Sequence, residues 1–140
     1  MNLKEIPADK LIGKASEKLK PLEQLKPPEW ASYAKTGAHR ERVPQQEDWW
    51  WTRAASLMRK VGIEGSVGVS RLRKDYGGRK NKGHRPEKKY KASGAVIRTL
   101  FHQLEAAGLM TSKKGKGRLL TEKGSSFLID IARELREKSK

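Results

Sequence analysis

The stretch Ser93–Gly124, SGAVIRTLFHQLEAAGLMTSKKGKGRLLTEKG, decides the fold. Val96, Ile97, Leu100, Phe101 and Leu104 recur at the spacing that lines one face of a helix, so Ser93 to Ala107 reads as a strongly buried central helix. Arg98, His102 and Glu105 fall on its open side, and Gly108 supplies the residue type that ends helices. Leu109–Thr111 and Arg118–Leu120 then read as two short strands around the basic glycine turn Lys113–Gly117 (KKGKG). Thr121 can cap a last helix, whose apolar side carries Phe127, Leu128, Ile131, Ala132 and Leu135 and whose end, Arg133–Lys140, is expected to fray.

Upstream, Leu11, Ile12, Ala15, Leu19 and Leu22 mark an amphipathic N-terminal helix over 6–22, ended by Pro21, Pro27 and Pro28. Trp30 and Tyr33 anchor a short segment that closes at Thr36–Gly37, and His39–Gln46, polar and containing Pro44, reads as an exposed loop. Asp48 is placed to cap a helix from Trp49 to Val61 with Trp50, Ala54, Leu57, Met58 and Val61 in one stripe. At about 100° per residue, Trp49, Trp50 and Trp51 cannot share one face, so at least one belongs at the rim. Gly62–Gly68 reads as a glycine-punctuated turn. Its spacing lacks the Gly-Lys-Ser/Thr of a phosphate loop, so no cofactor is assigned to it. A short helix over Val69–Tyr76 follows. The order helix, helix, helix, basic hairpin, helix predicts a mainly α, winged-helix-like domain around a central amphipathic helix, with a small β-hairpin wing over 109–120. The 140 residues fit one such domain.

Charge points to the partner. Ten of the twenty-one residues from Arg71 to Lys91 (RLRKDYGGRKNKGHRPEKKYK) are Lys or Arg, in a chain whose net charge is already +16. So dense a run, with Tyr76 and Tyr90 near its ends and glycines inside it, reads as a basic loop over 77–91 laid along the phosphates of a nucleic acid. Such a loop buries too little apolar surface to offset its ordering entropy, so it is expected to be disordered until a polyanion neutralises it.

The absence of cysteine removes disulfides, thiol nucleophiles and Cys-containing zinc sites, and His39, His84 and His102 have no metal-ligand spacing. No metal and no other cofactor is expected. No apolar run reaches the ~20 residues of a membrane span and the first residues lack a signal peptide's apolar stretch, so a soluble, intracellular protein with no membrane partner is expected. No Ser/His/Asp set is discernible, and Glu47 and Asp48 stand like capping or surface residues, which argues against an enzyme.

Several short motifs, in order along almost the whole chain, carry a resemblance. They are K-T-G at Lys35–Gly37, R-E at Arg40–Glu41, Pro44, D-W at Asp48–Trp49, T-R-A-A-S at Thr52–Ser56 and Y-G-G-R at Tyr76–Arg79. Pro86, Ser93–Gly94, Arg98, Gln103–Glu105 and Gly117–Thr121 continue the series. Together they resemble the archaeal and eukaryotic small-subunit ribosomal protein family S-nineteen-e, in its compact archaeal form. Where that family usually has Phe or Tyr after D-W, this chain has Trp50 and Trp51, which keep bulk and stacking capacity.

The resemblance implies a winged-helix fold on the head of the small ribosomal subunit, bound to its ribosomal RNA beside neighbouring head proteins. It implies a cytoplasmic, ribosome-bound location, no enzyme activity, and a role in subunit assembly or RNA maturation. The free protein is expected to be a monomer. The expected RNA-binding residues are Arg53, Arg59, Lys60, Arg71, Arg73, Lys74, Arg79, Lys80, Lys82, His84, Arg85, Lys88, Lys89, Lys91 and Arg98, converging on one side, with Trp50, Trp51 and Tyr76 as candidates for base stacking. The alternative is a DNA-binding winged-helix regulator reading bases through Arg98, Thr99, His102 and Gln103. Against it, the centre of that helix is strongly apolar and the densest charge precedes it.

Overall fold

The computed structural model describes residues 3–32, 35–37, 48–83, 85–115 and 117–138. Among these residues, five α-helices occupy Ala8–Leu19 (α1), Trp49–Glu64 (α2), Val69–Asp75 (α3), Gly94–Ala106 (α4) and Glu122–Lys138 (α5). The described residues also form two antiparallel hairpins, β1 (Gly78–Lys82) with β2 (Arg85–Tyr90) and β3 (Met110–Lys113) with β4 (Gly117–Leu120), and short 3-10 turns at Leu3–Glu5, Glu23–Leu25 and Glu29–Ser32. The architecture is mainly helical and winged-helix-like.

Helix α4 sits at the centre because its apolar face is nearly continuous. Val96, Ile97, Leu100, Phe101 and Leu104 are all buried. The Ser93 hydroxyl accepts from the Val96 amide at its start, and Gly108, at φ +81°, turns the chain at its end. Thr121 likewise caps α5, its hydroxyl accepting from the Gly124 amide at 3.1 Å. Leu128, Ile131 and Ala132 of α5 and Leu11, Ala15 and Leu19 of α1 close the core against α2. The frayed end expected from Arg133 is instead helical through Lys138.

Several elements depart from the sequence reading. Helix α1 is shorter than 6–22, because Pro21 has no amide to donate and Pro7 bounds it in front. Asp48 stands at the N-cap of α2, yet its side chain caps nothing. Its carboxylate lies 3.4 Å from Lys20 Nζ, and its backbone carbonyl receives the Thr52 amide and hydroxyl. Helix α2 runs past Val61 through Gly62, expected as a turn. A Cβ on Gly62 would come within 3.0–3.3 Å of Leu3, Leu120 and Leu128, so glycine here is what lets three leucines meet the helix. The turn comes at Gly65, with φ +89°. Tyr33, His39–Gln46 and His84 lie outside the described residues.

The largest correction concerns 77–91. Expected as a disordered loop, it is a two-stranded ribbon paired from Gly78↔Tyr90 to Lys82↔Arg85, with an irregularity between Lys80 and Lys82 and a turn through Gly83 at φ +72°. Its root is fixed from outside. The Ala92 amide donates to the Arg73 carbonyl at 2.8 Å, Arg73 Nε donates back to the Ala92 carbonyl at 2.9 Å, and Gly37 bridges Ala92 from the other side. Gly77 passes so close to the Tyr90 carbonyl that any Cβ there would strike it.

The wing hairpin is in the expected place. Its register is regular from Met110↔Leu120 to Lys113↔Gly117, and Val67 extends it with two backbone bonds to Arg118, 3.1 and 2.9 Å.

Candidate nucleic-acid interface

The cations expected on one face fall into two groups with different surroundings. On α2 and α3 several serve the scaffold as well. The Arg53 guanidinium lies over the Tyr76 ring, 4.1 Å from its centroid, and Lys60 Nζ approaches the same ring at 5.2 Å while pairing with Asp75 at 3.6 Å. The Tyr76 hydroxyl meets the Ser56 hydroxyl in a hydrogen bond. Burial pushes the Tyr76 phenol up from its ordinary 10.0, with the Ser56 bond and Arg53 opposing, so the ring stays neutral. Tyr76 is therefore held between cations and a hydroxyl, so this residue, a candidate for base stacking, also has a structural role.

Arg71 pairs with Glu64 at 3.3 Å, and Arg59 is half-buried, its Nε without a hydrogen-bond partner among the described residues. Arg73 secures Ala92, as described above. The side chain of Arg98 is exposed and folds back one turn over Gly94, as helical side chains tilt toward the N-terminus. Glu105, about two turns further on, pairs with Arg118 of the wing at 2.8 Å.

The second group stands on the ribbon. Lys74, Arg79, Lys88, Lys89 and Lys91 are exposed. The register sets Arg79 opposite Lys89, Lys80 opposite Lys88 and Lys82 opposite Arg85. Like charges facing each other across a ladder destabilise it by up to ~1 kcal/mol per pair. The register places three such pairs within five residues of strand.

The tryptophans divide as their spacing requires. Trp50 is 1% exposed, edge-on to Trp30 (5.7 Å, 81°) and Trp49 (5.4 Å, 79°), and its indole N–H donates to Gln103 Oε1 at 2.8 Å. It has no face to offer a base, so its candidacy for stacking is withdrawn. Trp51 is half-buried at the rim, with its buried Nε1 unpartnered among the described residues. Gln103 in turn donates to the Lys26 carbonyl at 2.9 Å, so this supposed base reader of a DNA-binding helix is occupied within the fold.

Among the described residues no three His, Asp or Glu side chains gather as metal ligands, and no helix is long and apolar enough to cross a membrane.

A sequence profile described as ribosomal protein S19e matches residues 2–138. The chain belongs to the S19e family. The small ribosomal subunit protein eS19 of Aeropyrum pernix is 46% identical over 139 residues, covering 98% of this chain and 91% of that one. The eS19 protein of Thermoplasma volcanium is 40% identical, covering 96% and 89%. The eS19A protein of Schizosaccharomyces pombe is 35% identical, covering 98% and 95%.

The family resemblance read from the scattered motifs is thus upheld. The S19e motifs also acquire places in the fold: T-R-A-A-S puts Arg53 and Ser56 against Tyr76, and Y-G-G-R forms the root of the basic ribbon. Sequence reasoning passed over the surroundings of Gly94, where a Cβ would meet the side chains of Arg98 and Arg73.

Proposed function

We propose that this S19e chain is a structural, non-catalytic constituent of the small ribosomal subunit, cytoplasmic and ribosome-bound. It binds ribosomal RNA in the subunit head through the β1–β2 ribbon and the adjoining faces of α2, α3 and α4, contacts neighbouring head proteins, and contributes to subunit assembly. Free in solution it is a monomeric single domain. The names of the archaeal and yeast relatives support the ribosomal part of this reading. The observation that carries the RNA part is the ribbon register, which opposes cation to cation at Arg79↔Lys89, Lys80↔Lys88 and Lys82↔Arg85.

RNA duplexes present phosphates, 2′-hydroxyls and a shallow minor groove, which a charged ribbon can follow by shape without reading bases. Counterion release then makes affinity fall steeply with salt. The test is binding of purified protein to small-subunit RNA across a salt series, beside gradient sedimentation of a cell lysate. A steep salt slope and co-migration with the small subunit support the proposal. An affinity flat in salt, or a protein at the top of the gradient, overturns it.

A further inference from the structure

The N-terminal turn of α4 holds an arrangement that no part of the family assignment explains. The position a Cβ on Gly94 would occupy lies 2.6 Å from Arg98 Nη1, 3.3 Å from Arg73 Cδ and 3.4 Å from Arg73 Nε. Two guanidinium groups, one from α3 and one from α4, thus converge on the bare backbone of a buried glycine. Among the described residues neither forms an ion pair with a carboxylate.

Arg73 is fixed by its Nε bond to the Ala92 carbonyl, so its two terminal nitrogens, and not its Nε, are the ones left to a ligand. Arg98 is exposed and Arg73 half-buried, so the pair opens to solvent. The exposed Lys91 lies close by in the chain and adds to the positive field. Two like charges this close repel unless an anion lies between them, and a guanidinium offers a planar fork matched to phosphate oxygens.

We propose that Arg73 and Arg98 form a cradle for one RNA phosphodiester, and that position 94 is glycine so that both guanidinium groups can reach it. The proposal rests on the RNA binding proposed above and deepens it, by naming one phosphate subsite and the residue that keeps it open. The ligand is a backbone phosphate rather than a base, because two converging cations match an anion, whereas a neutral base edge leaves their mutual repulsion uncompensated.

The test uses the full-length protein and its Gly94→Ala, Arg98→Gln, Arg98→Lys and Gly94→Ala/Arg98→Gln variants. Each is measured for small-subunit RNA binding across a salt series and for thermal unfolding. The methyl group of Gly94→Ala meets chiefly the flexible end of Arg98 and sits in a helix, where alanine is favoured, so its unfolding midpoint should match or exceed that of the parent. Its affinity should nevertheless fall roughly tenfold, with the salt slope reduced by about 0.7–0.9 for the one phosphate lost. Arg98→Gln should do the same, and Arg98→Lys should lose part of the affinity although it keeps the charge. The double variant should bind no more weakly than Arg98→Gln alone, because both changes remove the same contact.

Full affinity with an unchanged slope in both Gly94→Ala and Arg98→Gln overturns the subsite, as does a double variant whose loss equals the product of the single losses. Should Gly94→Ala unfold, Arg98→Gln and Arg98→Lys decide alone, since an exposed side chain can be changed without disturbing the core. A parent protein that fails to bind the RNA overturns the broader function, whereas a parent that binds while the variants bind equally well overturns the cradle only.

Discussion

Arg118 Nε donates to Glu105 Oε1 at 2.8 Å, and this one contact ties the second strand of the wing to the central helix. The same guanidinium lies 5.2 Å from the centre of the Phe101 ring, while the backbone of Arg118 bonds Val67. Both side chains are mostly covered, at 22% and 27% exposure, so solvent screens the pair less than it would a surface pair. Glu105→Gln keeps the shape and removes the charge. It should lower stability by about 1–2 kcal/mol, the difference between a charge-assisted and a neutral hydrogen bond plus a half-buried cation left unpaired. Thermal or denaturant unfolding measures it, and an unchanged midpoint would mean that the ion pair adds nothing to the other contacts holding the wing.

Trp50→Phe preserves an aromatic ring in the core but loses the indole donor to Gln103. The expected cost is about 1–3 kcal/mol, from lost volume and an acceptor left without its partner. RNA affinity, measured under conditions where the variant is folded, should stay within about twofold of the parent, since Trp50 is enclosed on every side. A selective loss of RNA binding in a fully folded variant would return this tryptophan to the interface.

Lys89→Glu separates stability from binding by moving them in opposite directions. It replaces a repulsive partner of Arg79 with an attractive one, and should stabilise the ribbon by roughly 0.2–1 kcal/mol. Amide hydrogen exchange in β1 and β2 should slow, while RNA affinity at low salt falls on the order of tenfold or more. Slower exchange with unimpaired RNA binding would show that the ribbon is not the contact surface.

Lys88→Ala with Lys89→Ala should weaken RNA binding and leave the unfolding midpoint within about 1 °C, because both side chains are exposed and bury nothing. A drop of several degrees would show the ribbon to be part of the cooperative core.

Tyr76 gives a pH dependence whose sign follows from its burial. Its folded-state pKa lies above the 10.0 of an exposed phenol, so the folded chain holds this proton more tightly than the unfolded one. The corresponding stability is fully present below pH 10 and is lost as the pH rises from there through the raised folded value. Tyr76→Phe lacks this loss, and it lowers neutral-pH stability by about 1 kcal/mol through the missing bond to Ser56. The two unfolding curves should therefore converge above pH 10. Parallel curves across that range would show that the phenol is not buried in solution.

The periodic apolar stripes of α1, α2, α4 and α5, the Ser93 and Thr121 caps, the Gly108 turn and the wing were legible along the chain. Each depends on residues within a few positions of one another, where helix periodicity and local hydrogen bonding act directly. The strong positive charge was legible too, because net charge survives any folding. The basic ribbon was not. It has charges along both strands and no apolar alternation, so nothing local marks it as a strand, and its flanks Arg73 and Ala92 are fastened to each other and to Gly37, which is distant in sequence.

Which cations support the scaffold and which stand open was equally hidden. The sequence shows Arg53, Arg98 and Arg118 as equal charges, and only packing lays one on Tyr76, turns one toward Gly94 and pairs one with Glu105. Gly62 and Gly94 make the same point from the other side. Neither has a positive φ, so no backbone rule singles them out, and what a Cβ would meet at each is side chains brought close by the tertiary structure. Composition and short-range periodicity determined what kind of molecule this chain is. Long-range contact decided where its charges point, because a side chain's direction depends on neighbours that the local sequence does not contain.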